Sequence, residues 1–103
     1  MEKREAIEKI KKYTELVKKS IPVKMVILFG SYSKENARED SDIDVAVVVE
    51  HFTGDYLNSR AKLFRLRREI DCRIEPVLIE KDEKDPAGFF EEILHTGEII
   101  YQN

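Results

Sequence analysis

Two seven-residue apolar runs, VKMVILF (Val23–Phe29) and IDVAVVV (Ile43–Val49), constrain the fold more than anything else in this chain. Both are rich in β-branched residues and have the length of a strand. The second is apolar at nearly every position, which requires cover on both faces of its sheet. Yet it opens on Ser41-Asp42-Ile43-Asp44. Ionised carboxylates are rarely buried unless something pairs with them.

The flanking segments supply the cover. Residues 2–19 carry Ile7, Ile10, Tyr13, Leu16 and Val17 at helical spacing with charges between them, which predicts an amphipathic helix. Ser20-Ile21-Pro22 ends it, because proline disfavours helix in the residue before it. From Tyr56 to Ile70, Leu57, Ala61 and Phe64 recur at helical spacing, and Leu63, Leu66 and Ile70 widen the stripe. The basic face of this helix (Arg60, Lys62, Arg65, Arg67, Arg68) reads as solvated surface. Arg73–Ile79 (RIEPVLI) predicts a third strand, with Pro76 marking an edge or a bulge. Pro86–His95 predicts a last helix that stops at Gly97. Ile99, Ile100 and Tyr101 then form an apolar tail expected to dock on the body, and the Phe89-Phe90 pair reads as packing. The polar segment Tyr32–Ser41 is expected to hold a short helix. Residues 50–55 read as a loop and EKDEKD as a solvated charge run. The fold class is α/β (α+β): one domain over residues 1–103, with a small mixed sheet of three to four strands flanked by helices.

Composition excludes several functions. With a net charge of −3, bulk positive potential does not draw this chain to nucleic acid, and no direct DNA binding is expected. No apolar run approaches a membrane span, and MEKREAIEKIKK lacks a signal-peptide core, so a cytoplasmic protein is expected. The single cysteine, Cys72, cannot form an internal disulfide and reads as a small buried hydrophobe. His51 and His95 have no partner spacing for a ligand role. Phosphate-binding loops of the GKS/GKT and GxGxxG types are absent.

The chemistry gathers around the two strands. Alternation puts Asp42 and Asp44 on one face of the second strand, their Cα atoms roughly 6.5 Å apart. Such carboxylates suit Mg²⁺, which shares its coordination with substrate phosphates, and a pair can bracket two ions about 3.5–4 Å apart. Gly30 lets a ligand approach the backbone closely. Ser31 offers a hydroxyl and can cap a following helix whose N–H groups attract phosphate. If the first two strands are antiparallel neighbours, cradle and carboxylates meet at one spot. A third carboxylate would complete the site. Glu75, inside the third strand, is the leading candidate, and Asp71, at the helix-to-strand junction, is the alternative. Lys34 and Arg38 read as solvated.

Gly30-Ser31, ten intervening residues and Asp42-Ile43-Asp44 resemble the signature of the nucleotidyltransferase superfamily that includes DNA polymerase β. More narrowly, the chain resembles the minimal nucleotidyltransferases of bacteria and archaea over nearly its whole length, through the "IEPVLI" strand and the "EEILHTGEIIY" ending. The resemblance implies that Gly30 and Ser31, with Ser41 nearby, hold a nucleoside triphosphate such as ATP. It implies that Asp42, Asp44 and Glu75 bind two Mg²⁺ ions and carry the catalysis. Family members often have a glycine about four residues after the serine; here Glu35 stands there, beside Asn36. The activity implied is transfer of AMP from ATP to a hydroxyl. These 103 residues are not expected to carry an acceptor-binding domain of their own. The family supplies one answer, a small helical HEPN toxin modified on a tyrosine by its antitoxin, and a second copy of the chain is the other candidate. A module that neutralises a partner by binding alone is the competing function.

Overall fold

The structure, a computed structural model, describes residues 2–33, 37–38, 41–51, 55–81 and 88–103. Helix α1 (Lys3–Lys18) leads into strand β1 (Val23–Phe29), and β2 (Ile43–Val49) follows. Helix α2 (Tyr56–Leu66) continues as a 3₁₀ turn, Arg67–Glu69, before strand β3 (Ile74–Glu80). Helix α3 (Phe89–Thr96) and strand β4 (Glu98–Gln102) complete the chain.

The four strands form one sheet in the order β3-β2-β1-β4. Strand β2 runs antiparallel to β1 and parallel to β3, with α2 as the crossover that a parallel pair requires. The expected edge position of Pro76 holds, since β3 ends the sheet and has no neighbour on one side to ask for its missing N–H. The apolar tail turns out to be a strand: Ile99 and Tyr101 pair with β1 opposite Ile27 and Val26. Three adjacent residues are too few for alternation to declare itself in sequence.

The alternation of β2 explains its composition. Ile43, Val45, Val47 and Val49 face a core closed by α1 and α2, through Ala6, Ile10, Tyr13, Val17 and Leu63. Ala46 and Val48 face the other side, where Ile27, Ile79 and Ile93 of α3 cover them. Tyr13 is fully buried, and its hydroxyl donates to the Leu63 carbonyl at 2.7 Å, tying α1 to α2. Burial pushes that phenol's pKa well up, so it stays a neutral donor.

Two expectations are corrected. The long helix over Tyr56–Ile70 stops as α-helix at Leu66 and tightens into the 3₁₀ turn, which folds Arg67 toward the sheet. Cys72 is exposed, because it lies in the turn before β3 rather than in the core. The short helix expected within 32–41 falls largely on residues outside the described ones (34–36, 39–40), and Ser31–Ser33 form a turn. Glu35, Lys34 and the start expected for α3 at Pro86 also lie outside the described residues.

Candidate active site

Strand β1 ends at Phe29, directly opposite Asp44 at the start of β2. The chain then turns through Gly30 at φ 72°, a conformation that glycine adopts freely and other residues resist. Space imposes a second demand. A Cβ on Gly30 would strike the Asp44 carboxylate at Oδ2 and come within 3.2 Å of its Cγ. The glycine therefore gives the backbone its turn and gives the carboxylate its room.

The loop beyond it is anchored at three points. Tyr32 is buried in the α1/α2 core, and its hydroxyl donates to the Arg38 carbonyl at 3.3 Å. The Ser33 hydroxyl donates to the Thr96 carbonyl at the end of α3, at 2.8 Å. The Ser41 hydroxyl accepts the Arg38 N–H at 2.7 Å, while the Ser41 N–H donates to the Arg38 carbonyl. Ser41 thus closes the loop immediately before Asp42. Ser31 stands half-buried between Gly30 and these anchors. Tyr32 carried no signal in sequence beyond a lone aromatic in a polar stretch.

Two further acids, Asp42 and Glu75, lie near enough to Asp44 for their charges to act on it. Asp42 is exposed, Asp44 is half-buried, and Glu75 lies opposite Asp44 in the parallel register of β2 and β3. The Ile43 N–H bonds to the Arg73 carbonyl at 2.8 Å, which sets the two strands level at their starts. Asp44's pKa is raised, first by burial, then by the negative charges of Asp42 and Glu75. The two neighbours act on it as like charges, so the acids form one electrostatic unit.

Asp71, the alternative third acid, is occupied elsewhere. It accepts from Lys9 Nζ at 2.5 Å, from the Arg73 backbone N–H at 2.8 Å, and from the Arg73 guanidinium at 3.0 and 2.7 Å. The Arg73 hydrogen bonds, then that of Lys9, hold its carboxyl well below the usual range against a smaller opposing effect of burial. Glu75 has one described cation partner, Arg67, at 3.0 Å. Sequence reasoning placed Arg67 on a solvated face and missed it. The only signal was its position at the point where the helical stripe gives out.

Divalent cations fit this donor set. Hard carboxylate oxygens are what Mg²⁺ selects, and no described cation pairs with Asp42 or Asp44, while Glu75 has Arg67. Among the described residues no three His, Cys, Asp or Glu side chains stand close enough to hold a cation alone. An ion here would complete its coordination with phosphate oxygens and water, the habit of Mg²⁺ at nucleotide sites. A cavity of about 370 Å³ opens at the other end of β1, lined by Pro22, Val23, Lys24, Glu50, His51 and Asn103. None of Asp42, Asp44 and Glu75 lines it.

A Gly-Ser turn over a carboxylate cluster, on a mixed sheet with helices on both faces, defines a nucleotidyltransferase fold. Residues 8–103 match the family "Polymerase beta, Nucleotidyltransferase". The chain belongs to that family, whose chemistry is nucleotidyl transfer. A protein of Methanocaldococcus jannaschii named "Putative protein adenylyltransferase MJ0141" is 29% identical over 99 residues, 90% of this chain and 96% of that one. Among solved structures, a nucleotidyltransferase from Sulfolobus solfataricus superposes with a TM-score of 0.71 at 18% identity, over 98% of this chain and 84% of its own. A toxin–antitoxin complex with AMP-PNP superposes with a TM-score of 0.68 at 22% identity, over 94% and 73%.

Proposed function

We propose that this protein is a Mg²⁺-dependent adenylyltransferase that moves AMP from ATP to a hydroxyl on a partner protein. The observation that carries this reading is Asp44 beside the Gly30-Ser31 turn, pushed toward protonation first by burial and then by the negative charges of Asp42 and Glu75, with Glu75 alone of the three paired to a described cation. A chain does not stabilise itself by packing like charges together, so the cluster answers to a ligand. The curated relative named for protein adenylylation supports the choice of acceptor class.

Asp42, Asp44 and Glu75 would hold two Mg²⁺ ions, which when bound would neutralise the triphosphate and acidify the attacking hydroxyl. Ser31 and the backbone after Gly30 bind the triphosphate, with the chain close because Gly30 has no side chain. The acceptor oxygen bonds to the α-phosphorus, and the bond from that phosphorus to the bridging oxygen of the β-phosphate breaks. Pyrophosphate leaves, and the acceptor's proton passes to Glu75. Positioning and charge neutralisation carry most of the rate in such transfers. Ser41 serves by closing the loop that presents Asp42.

The partner in this reading is a HEPN-type helical toxin carrying the acceptor tyrosine, with this chain as antitoxin. The fold shared with a toxin–antitoxin complex holding AMP-PNP is consistent with it. The test is incubation with α-³²P-ATP, Mg²⁺ and the co-encoded helical protein. Label should appear on a tyrosine of that protein. Label that never leaves ATP, or that moves equally well with Asp42→Asn, ends the proposal.

A further inference from the structure

The guanidinium of Arg67 is held by three contacts. NH1 donates to the Ile74 carbonyl at 2.9 Å and to Glu75 Oε1 at 3.0 Å, while the guanidinium carbon lies 4.8 Å from the centre of the Phe64 ring. The side chain is 24% exposed against 40% for Glu75. An ion pair with one partner this exposed contributes little to stability. Its geometry, however, is fixed from the arginine side by a backbone carbonyl and an aromatic face, neither of which depends on Glu75. The same nitrogen binds the carbonyl of the residue before Glu75, so the contact sets where along β3 the carboxylate is met. Among the described residues only one oxygen of the Glu75 carboxylate is engaged. Asp44 lies opposite Glu75 in register, and the Glu75 charge acts on it.

A glutamate has one more rotatable bond than an aspartate and reaches a given point in more conformations. A residue that selects one conformation before the cation arrives removes that ordering cost from binding. We propose that Arg67 is a positioning residue for the third carboxylate, holding Glu75 in a single conformation beside Asp44. This rests on the acid cluster being the cation site argued above. The contribution comes from the planar, two-acceptor geometry of arginine, which lysine does not reproduce although it carries the same charge.

The test is the apparent affinity for Mn²⁺ in the presence of AMP-PNP, measured by titration calorimetry, for wild type, Arg67→Lys, Glu75→Gln, the double variant and Asp44→Asn. Arg67→Lys should weaken Mn²⁺ binding about tenfold, the scale seen when outer-shell partners are lost. The same substitution should add nothing in the Glu75→Gln background. Wild-type affinity in Arg67→Lys, or an equal loss whether or not Glu75 is present, overturns the proposal. If Asp44→Asn binds Mn²⁺ as wild type does, the acid-cluster reading fails first and this one with it. Should Arg67→Lys not fold, Phe64→Leu removes the ring beneath the guanidinium and should weaken Mn²⁺ by a smaller factor, again only while Glu75 is present. No change in Phe64→Leu overturns the proposal equally.

Discussion

Asp71 and Asp44 both stand near the start of a strand, at the same end of the sheet, and the chain treats them in opposite ways. Around Asp71, a lysine from α1 and an arginine two residues on supply four hydrogen bonds, and the carboxyl is only 10% exposed. Its pKa falls. Asp44 is half-buried beside two more acids and a glycine that leaves it space, and burial first, then those charges, raises its pKa. One charge is satisfied within the fold, and the other has like charges for neighbours. The difference separates an acid paired within the fold from the acid that the proposed function puts to work, and the two are ordinary aspartates in sequence.

The largest break in that comparison is Asp44→Asn. It should lower AMP transfer by at least about a hundredfold, because a cation ligand is worth several kcal/mol of charge stabilisation. Folding should not suffer: removing one of three mutually repelling charges should leave the melting temperature unchanged or higher. A marked loss of melting temperature would mean that Asp44 belongs with Asp71.

Gly30→Ala comes next and should harm both properties. Its φ of 72° strains any side chain, and the new methyl meets Asp44. A destabilisation of about 1–2 kcal/mol is expected from the backbone alone. Transfer should drop further than stability accounts for, since Asp44 must move. If chemical denaturation and label transfer show the loss confined to stability, the contact with Asp44 has no functional weight.

Asp71→Asn reverses the pattern. It should cost about 1.5–3 kcal/mol, the range for hydrogen bonds to charged groups, while leaving transfer per folded molecule near wild type. Because the folded pKa of Asp71 is depressed, its contribution is fully present above the unfolded carboxylate pKa of about 4 and is lost as pH falls below it. Wild type should therefore lose stability on acidification more steeply than Asp71→Asn. Parallel stability curves for the two proteins between pH 5 and pH 2 would remove Asp71 from its structural role.

Much of this contrast was legible before any coordinates. The period of α1 and the β-branched runs of β1 and β2 announce those elements, because each buries a regular face. The Gly-Ser turn and the Asp42/Asp44 pair follow from residue chemistry. Register was not legible. Glu75 and Asp71 are both plausible third acids until β2 and β3 are known to be parallel and level, which sets Glu75 against Asp44. Nor could charge patterning reveal that Arg67 turns inward, since helix periodicity assumes a helix that continues, and this one tightens at that residue. Cys72 was misread for a similar reason: composition ranks free cysteine among the buried residues, but a three-residue turn before β3 has no inside.

The smallest expected effect is also the most direct comparison of the two regions. Lys9 and Arg73 do permanently for Asp71 what Mg²⁺ would do transiently for Asp42, Asp44 and Glu75. Binding to the folded state alone stabilises by RT ln(1 + [L]/Kd), about 1.4 kcal/mol at tenfold excess over Kd, or some 5–10 °C in a domain near this size. Millimolar Mg²⁺ should therefore raise the melting temperature of wild type by several degrees at most. The shift should vanish in Asp44→Asn and return in full when EDTA-treated wild type is resupplied. Asp71→Asn, although it melts lower, should keep the whole shift, because the charge removed there was never exposed to the cation. An equal response to Mg²⁺ in Asp44→Asn and wild type would mean that the stabilisation comes from general screening. The acid cluster would then be no more a cation site than Asp71 is.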